Sequence, residues 1–297
     1  MPVNSSTSSS KLIVQSFASF LVLTVGYVAF VGTGVVHGGS GTNQWQNNVI
    51  KAERYQYAAE PVKSVVTGSS MAYRLLPEYL GTDYSNIAFA GGGALTGLQV
   101  ILQSKGALPS TVFVEMNDTL LRGQDKEFIQ KLTSPVLGGA KSTFAAFRTE
   151  YQPVILFKEW IKGGSGKEPE AGGPVDPDIL ASELARHAAD HAKAPDPKQL
   201  QAVTGELKQA VDTLRAKGVQ VVLFEPPSHR SLHESVRSTA LRKHWEAEFP
   251  KDRYDWAQTP NPDEYETGDG IHMTGDSARK YAAFLKEHLG KKIQSGS

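Results

Sequence analysis

The sequence contains no cysteine. That excludes disulfides, thiolate metal sites and a cysteine nucleophile, and it suits an oxidising compartment. It has no excess of either charge: 31 Lys and Arg stand against 31 Asp and Glu in 297 residues. No long basic run occurs, so the chain carries no electrostatic footprint for nucleic acid. At 40% hydrophobic and 21% charged residues the composition is that of a globular protein, and the length allows one large domain or two small ones.

A second absence is local. No charged residue occurs from Leu12 to Val36. As a helix this run would reach ~37 Å at 1.5 Å per residue, enough to cross a ~30 Å hydrocarbon core. A buried core helix and a cleavable signal peptide are the competing readings. A signal peptide has a shorter apolar region, of ~7–15 residues, followed by an Ala-x-Ala type site, and neither feature is seen here. We therefore read residues 12–36 as an uncleaved transmembrane anchor. Lys11 precedes it, and no Lys or Arg occurs after it until Lys51. The positive-inside bias then puts a disordered, Ser/Thr-rich segment 1–11 in the cytoplasm and everything after the span outside. This predicts a single-pass protein of the inner (cytoplasmic) membrane with a periplasmic or extracytoplasmic domain. Residues 37–60 read as a Gly-rich flexible tether and a lead-in helix.

Beyond residue 60 the chain has a repeating rhythm. Residues 64–67 form a short apolar run that ends in Gly68-Ser69-Ser70, and an amphipathic stretch, 71–80, closes at Gly81. Residues 86–90 form a second such run, ending in Gly91-Gly92-Gly93 before a helix over 94–105. Residues 111–115 form a third, ending in Met116-Asn117-Asp118. Strand–turn–helix units in series predict an α/β fold with a three-layer, doubly wound, flavodoxin-like parallel sheet. A fourth strand over 219–224, a short fifth at 254–256 and a helix over 275–288 would complete a domain spanning 61–290, with a tail at 291–297.

Residues 119–217 interrupt the rhythm as a helical insertion. Within it, 142–162 reads as a helix bent at Pro153. Its Phe144, Phe147 and Tyr151 would pack against the domain or, alternatively, form a sugar-stacking or membrane-facing surface. A mobile loop over 163–177 and helices over 178–193 and 197–217 would come next.

The turns after the strands carry the chemistry. Acyl transfer by serine needs a nucleophile, a base, a group that orients the base, and donors for an oxyanion. Ser70 supplies the nucleophile and His272 the base. Asp269, three residues earlier in a turn, can accept the other ring N–H of His272. The Ser70 and Gly91 N–H groups and the Asn117 amide are candidate oxyanion donors. His187/His191 and His229/His233 have the i,i+4 spacing of metal ligands. In polar or Pro-flanked surroundings they read as solvated helix faces, so no metal and no cofactor is expected.

These four stretches together resemble the SGNH (GDSL-like) hydrolase and acyltransferase superfamily. Gly68-Ser69-Ser70 is similar to its Gly-Asp-Ser block, and Asn86-Ile87-Ala88-Phe89-Ala90-Gly91 to its second, a strand ending in glycine. Glu115-Met116-Asn117-Asp118 is similar to its Gly-x-Asn-Asp block, and Asp269-Gly270-Ile271-His272 to its Asp-x-x-His. The resemblance implies Ser70, Asp269 and His272 as the triad, with Gly91 and Asn117 in the oxyanion hole. Two positions depart. Ser69 replaces the common Asp, as in membrane-anchored acyltransferase-related members. Glu115 replaces a Gly, which puts the local backbone in question and adds charge near the site. The anchored members imply an O-acyl, in particular acetyl, transferase acting on an exopolysaccharide or cell-wall glycan, beside a multi-span membrane acyltransferase. An esterase that removes acyl groups from glycans, and an inactive anchored scaffold, are the alternatives.

Overall fold

The computed structural model describes residues 6–162 and 175–295. The chain divides into two compact units, Met1–Ile50 with Ser134–Lys167, and Lys51–Thr133 with Glu168–Ser297. Its early elements are α1 (Ser6–Gly32), α2 (Gln44–Gln56), β1 (Ser64–Thr67), α3 (Pro77–Leu80), β2 (Tyr84–Asn86), α4 (Ala94–Gln103), β3 (Thr111–Glu115) and α5 (Lys126–Leu132). After these come α6 (Pro135–Thr143), α7 (Pro153–Lys162), α8 (Pro177–His191), α9 (Pro197–Ala216), β4 (Gln220–Phe224), α10 (Arg230–His233), α11 (Val236–Glu248), β5 (Asp255–Trp256) and α12 (Gly275–Ser295).

The second unit holds the sheet. Its strand order is β2-β1-β3-β4-β5, and every neighbouring pair is parallel. This is the flavodoxin-type order, in which the winding reverses between β1 and β3, and a crevice opens at their carboxyl ends. β1, β3 and β4 are rich in valine and almost wholly buried, as strands covered on both faces must be. One face carries Val66, Phe113, Val222 and Phe224 in register, packed with Leu75, Leu80 and the α12 residues Ala278, Tyr281, Ala282 and Leu285. α4 and α9 form the other layer, packing on β1, on β4 and on each other. The buried stripe of α9, Leu200, Val203, Leu207, Ala210, Val211 and Leu214, has the spacing of one helix face.

Several stretches differ from their sequence reading. Residues 71–80 form a 3-10 turn (Ala72–Arg74) and the short α3, because Pro77 forces Leu76 into an extended conformation (ψ 151°). The second strand is Tyr84–Asn86, which shares only Asn86 with the expected 86–90. The Asn86 side chain there donates to Ala72 O (2.8 Å) and Leu75 O (2.7 Å), although Ile87 N and Phe89 N still bond to Val66 O and Gly68 O along β1. Residues 142–162 are not one helix. The backbone is extended at Phe144, Arg148 and Gln152, leaving two 3-10 turns before Pro153 starts α7. The helical spacing of Phe144, Phe147 and Tyr151 is lost with it, and both Phe rings are exposed.

In the first unit, Ser10–Gly32 of α1 is long and apolar enough to cross a membrane. α1 starts at Ser6, inside the segment expected to be disordered, since extending an existing helix by a turn requires no new nucleus. The 38–41 segment is held rather than free: Gly39 N donates to Glu150 O (2.9 Å), Lys158 Nζ to Gly41 O (2.6 Å) and Ser40 Oγ to Glu159 Oε1 (2.5 Å). Most of the loop expected over 163–177 lies outside the described residues.

Candidate active site

β1 and β3 end side by side, and the site grows from that edge. β1 is followed by Gly68, whose neighbour across the sheet is Glu115, the last residue of β3. A Cβ at position 68 would lie 2.4 Å from Glu115 Oε2, so only glycine fits. Glu115 is fully buried. Its Oε2 accepts from Ser69 N (3.1 Å) and Ala72 N (2.9 Å). Its Oε1 accepts from Ser69 Oγ (2.5 Å) and Asn117 Nδ2 (2.6 Å), with Thr119 Oγ1 3.3 Å away. Burial pushes the Glu115 carboxyl above the usual carboxylate range, against the opposing pull of the hydrogen bonds from Ser69, Ala72 and Asn117. One carboxylate thus clamps both sides of the Ser70 turn and ties it to Asn117.

Ser70 projects from that turn. Its Oγ lies 2.7 Å from His272 Nε2. On the far side of the ring, His272 Nδ1 lies 2.6 Å from Asp269 Oδ2. The other Asp269 oxygen accepts from Ile271 N (3.0 Å) and His272 N (2.7 Å). The turn is closed by a bond from Gly268 N to His272 O (3.0 Å) and delivered by α12, which comes directly after it. Burial works to raise the Asp269 carboxyl, but the hydrogen bonds from the His272 ring and from the two backbone N–H groups outweigh it and hold the group well below its ordinary value. An ionised Asp269 keeps the proton on Nδ1, which leaves the Nε2 lone pair free to accept from Ser70.

Of the expected oxyanion donors, Asn117 is tied to the serine turn through Glu115, and Gly91 lies two residues beyond Phe89, whose N–H donates to Gly68 O. Gly91 has φ +77°, a conformation that favours glycine. Among the described residues, nothing accepts from the N–H of Ser70 or of Gly91. The Asn117 side chain is oriented at both ends. Its Oδ1 accepts from Thr119 N (2.9 Å) and Thr119 Oγ1 (2.6 Å), while Nδ2 donates to Glu115 and to Met71 Sδ (3.1 Å). A thioether is a weak acceptor, so that second N–H is the one an oxyanion could take over.

Residues of α8 and α10, outside the four sequence blocks, complete the surroundings. Gly270 (φ +88°) sits under the Asp269–His272 turn, where a Cβ would meet Leu184 Cδ2 of α8 at 2.6 Å and Leu232 Cδ1 of α10 at 3.2 Å. His229 N donates to Gly270 O (2.8 Å). Part of the 119–217 insertion therefore braces the histidine loop. A cavity of about 40 Å³ is lined by Met71 and Ile271, the chain neighbours of Ser70 and His272, and by Asn117, His191, Leu232 and Trp245 among others. One water needs ~10–15 Å³ on this measure, so the cavity holds a group of only a few heavy atoms. Its lining comes from six separate stretches of the chain, and sequence reasoning did not find it.

The paired histidines are not on solvated faces. His191 Nδ1 lies 3.1 Å from Ser235 Oγ, and His233 is half-buried against Arg242, with ring nitrogens 3.2 Å from Nη2. His229 Nδ1 accepts from Ser231 N (3.3 Å) and caps α10. The reason is tertiary: α8 packs on α10 and α11, which takes these faces out of solvent. Among the described residues no group of three or more metal-ligating side chains is gathered.

No family model matches the chain, and no curated protein matches it. Its neighbours among solved structures include a GDSL-like lipase and an acylhydrolase. A GDSL-like lipase from Bacteroides thetaiotaomicron aligns at 14% identity over 84% of this chain and 99% of its own, with a TM-score of 0.44. A protein assigned as an acylhydrolase from Bacteroides fragilis aligns at 13% identity over 84% and 99%, with a TM-score of 0.43.

Proposed function

We propose that the chain is a serine enzyme of the SGNH type that forms an acyl-serine at Ser70. The observation that carries this is the continuous relay from Ser70 Oγ to His272 Nε2 (2.7 Å) and from His272 Nδ1 to Asp269 (2.6 Å). In the first half-reaction Ser70 Oγ attacks an ester carbonyl while His272 takes the hydroxyl proton. The N–H groups of Ser70 and Gly91 and the Asn117 amide bind the oxyanion, and His272 returns the proton to the departing alcohol. In the second, His272 removes a proton from the acceptor as it attacks the acyl-serine, and returns that proton to the departing Ser70 Oγ.

The acceptor we propose is a sugar hydroxyl of an exopolysaccharide or cell-wall glycan, and the acyl group is short, as a cavity of about 40 Å³ favours. The apolar span Ser10–Gly32 supports anchoring in the cytoplasmic membrane with the serine domain outside, beside a multi-span membrane acyltransferase that supplies the acyl group. A specific observation favours a second reading, an esterase: His272 and Asp269 keep 26% and 30% of their side-chain surface exposed, so water can reach the base. Incubating the protein with an aryl acetate, with and without oligosaccharides, separates the two. Transferase activity gives acylated sugar by mass spectrometry and faster deacylation when acceptor is present. Fast release of free acid alone, across a broad set of glycans, selects the esterase.

A further inference from the structure

The N-terminal unit carries an apolar surface besides its spanning helix. α7 is two-sided. Ile155 is fully buried, Lys158 reaches Gly41 O and Glu159 accepts from Ser40. The other face presents Val154, Phe157, Trp160 and Ile161, spaced as one helix stripe. Trp160 is 78% exposed and Phe157 59%, and their rings lie 5.9 Å apart. The exposed rings of Phe144 and Phe147, 5.9 Å apart, lie at the 3-10 turn Ala145–Phe147, earlier in the same unit. Monomeric soluble proteins rarely leave so continuous an apolar patch open to water.

We infer that this face of α7 lies in the outer membrane–water interface, as an in-plane contact beside the spanning helix. The inference rests on the reading of α1 as a membrane anchor. Its support is depth. The Tyr27 hydroxyl of α1 donates to Tyr151 O, two residues before α7 begins, and α1 packs against the 3-10 turn Ala145–Phe147. Counted from Leu12, a ~30 Å core takes ~20 residues at 1.5 Å each and ends near Val31. Tyr27 then lies ~6 Å below the outer boundary by the same rise. Interfacial helices sink their apolar face ~5–10 Å into that boundary, so α7 starts at the depth such a helix occupies. Trp, Tyr and Phe are the side chains of that zone, while Lys158, Glu159 and the 38–41 segment occupy the opposite, polar side of α7.

The cysteine-free chain makes the test direct. Single substitutions Val22→Cys, Phe157→Cys, Trp160→Cys and, as an aqueous control, Lys126→Cys are made in the full-length protein and spin-labelled. Each is reconstituted in phosphatidylcholine/phosphatidylglycerol nanodiscs without any other protein, with aryl acetate turnover as the check on folding. Accessibility to oxygen and to a water-soluble nickel chelate reports depth. The expected result is hydrocarbon at 22, interfacial depth at 157 and 160, and water at 126. If 157 and 160 are as aqueous as 126 while 22 lies in hydrocarbon, the inference is overturned, and the patch serves a protein partner instead. If 22 is aqueous, the anchor reading itself falls, whatever 157 and 160 report.

Discussion

Glu115→Gln tests whether the buried clamp sets the oxyanion site. The carboxylate offers acceptors on both oxygens, two backbone N–H groups on Oε2 and the Asn117 amide with Ser69 Oγ on Oε1. An amide has only one acceptor oxygen. The backbone donors of Ser69 and Ala72 cannot turn away, so the Gln oxygen should face them and its NH2 should face Asn117 Nδ2. Ser69 can rotate its hydroxyl to accept, but Asn117 cannot, because Thr119 holds its oxygen. Two donors then oppose each other and Asn117 is pushed from its place. Losing an oxyanion donor outright lowers kcat by ~100–1,000-fold. A displaced donor should cost less, about 10–100-fold, or ~1.4–2.7 kcal/mol of barrier. The unpaired buried donor should also cost about 1–3 kcal/mol of stability, read as a lower urea midpoint. The assay is aryl acetate turnover by wild type, Glu115→Gln, Asn117→Ala and the double variant. If Glu115 acts through Asn117, adding Glu115→Gln to Asn117→Ala should change kcat by less than ~3-fold, since the opposed donor is gone. Multiplicative effects, or a loss confined to stability and KM, would refute the reasoning.

Ser70→Ala should lower kcat at least ~1,000-fold with an unchanged urea midpoint, because it removes the nucleophile and nothing the fold leans on; a smaller loss would take the reaction away from Ser70. Gly68→Ala should fail to fold stably or lose ~1–3 kcal/mol or more, as its methyl would overlap Glu115 Oε2 at 2.4 Å and Ala72 Cβ at 2.8 Å, and a melting temperature equal to wild type would contradict the clamp geometry. Gly270→Ala adds strain of ~1–3 kcal/mol at φ +88° and displaces the His272 turn, and Leu184→Ala in the same chain should recover part of kcat; no recovery would mean that α8 does not brace the loop. The Asp269 carboxyl is depressed in the fold. The stability it contributes is therefore present above the unfolded value, ~3.9, and is lost as pH falls through the folded one. Urea midpoints of wild type and Asp269→Asn should differ at pH 6 and approach each other below ~pH 3, while a pH-independent difference would show that the ion is not responsible.

Much of the molecule is legible along the chain because the features are local. Three short apolar runs, each ending in a glycine or a hydroxyl or amide residue, are enough to imply parallel strands whose ends share an edge, and a run without charge from Leu12 to Val36 needs no neighbour to be read. Asp269 and His272 sit within one turn, so their pairing is also local, and Ser70 is marked by the turn it occupies. What the chain could not decide depends on residues far apart in it. Glu115 reads as an anomaly in sequence. In the fold it stands beside Gly68, 47 positions earlier, and the strand register turns that anomaly into the group that holds Ser69, Ala72 and Asn117 together. His191 and His233 read as solvated until α8, α10 and α11 pack on one another. Leu184 and Trp245 carry no motif, yet one braces the His272 turn and the other lines the cavity that Asn117 and Ile271 share. Local pattern determines which segments become strands and where their polar ends lie. Only tertiary packing decides which buried carboxylate meets which donor, because that contact is set by how the β1 and β3 ladder aligns and not by anything within either strand.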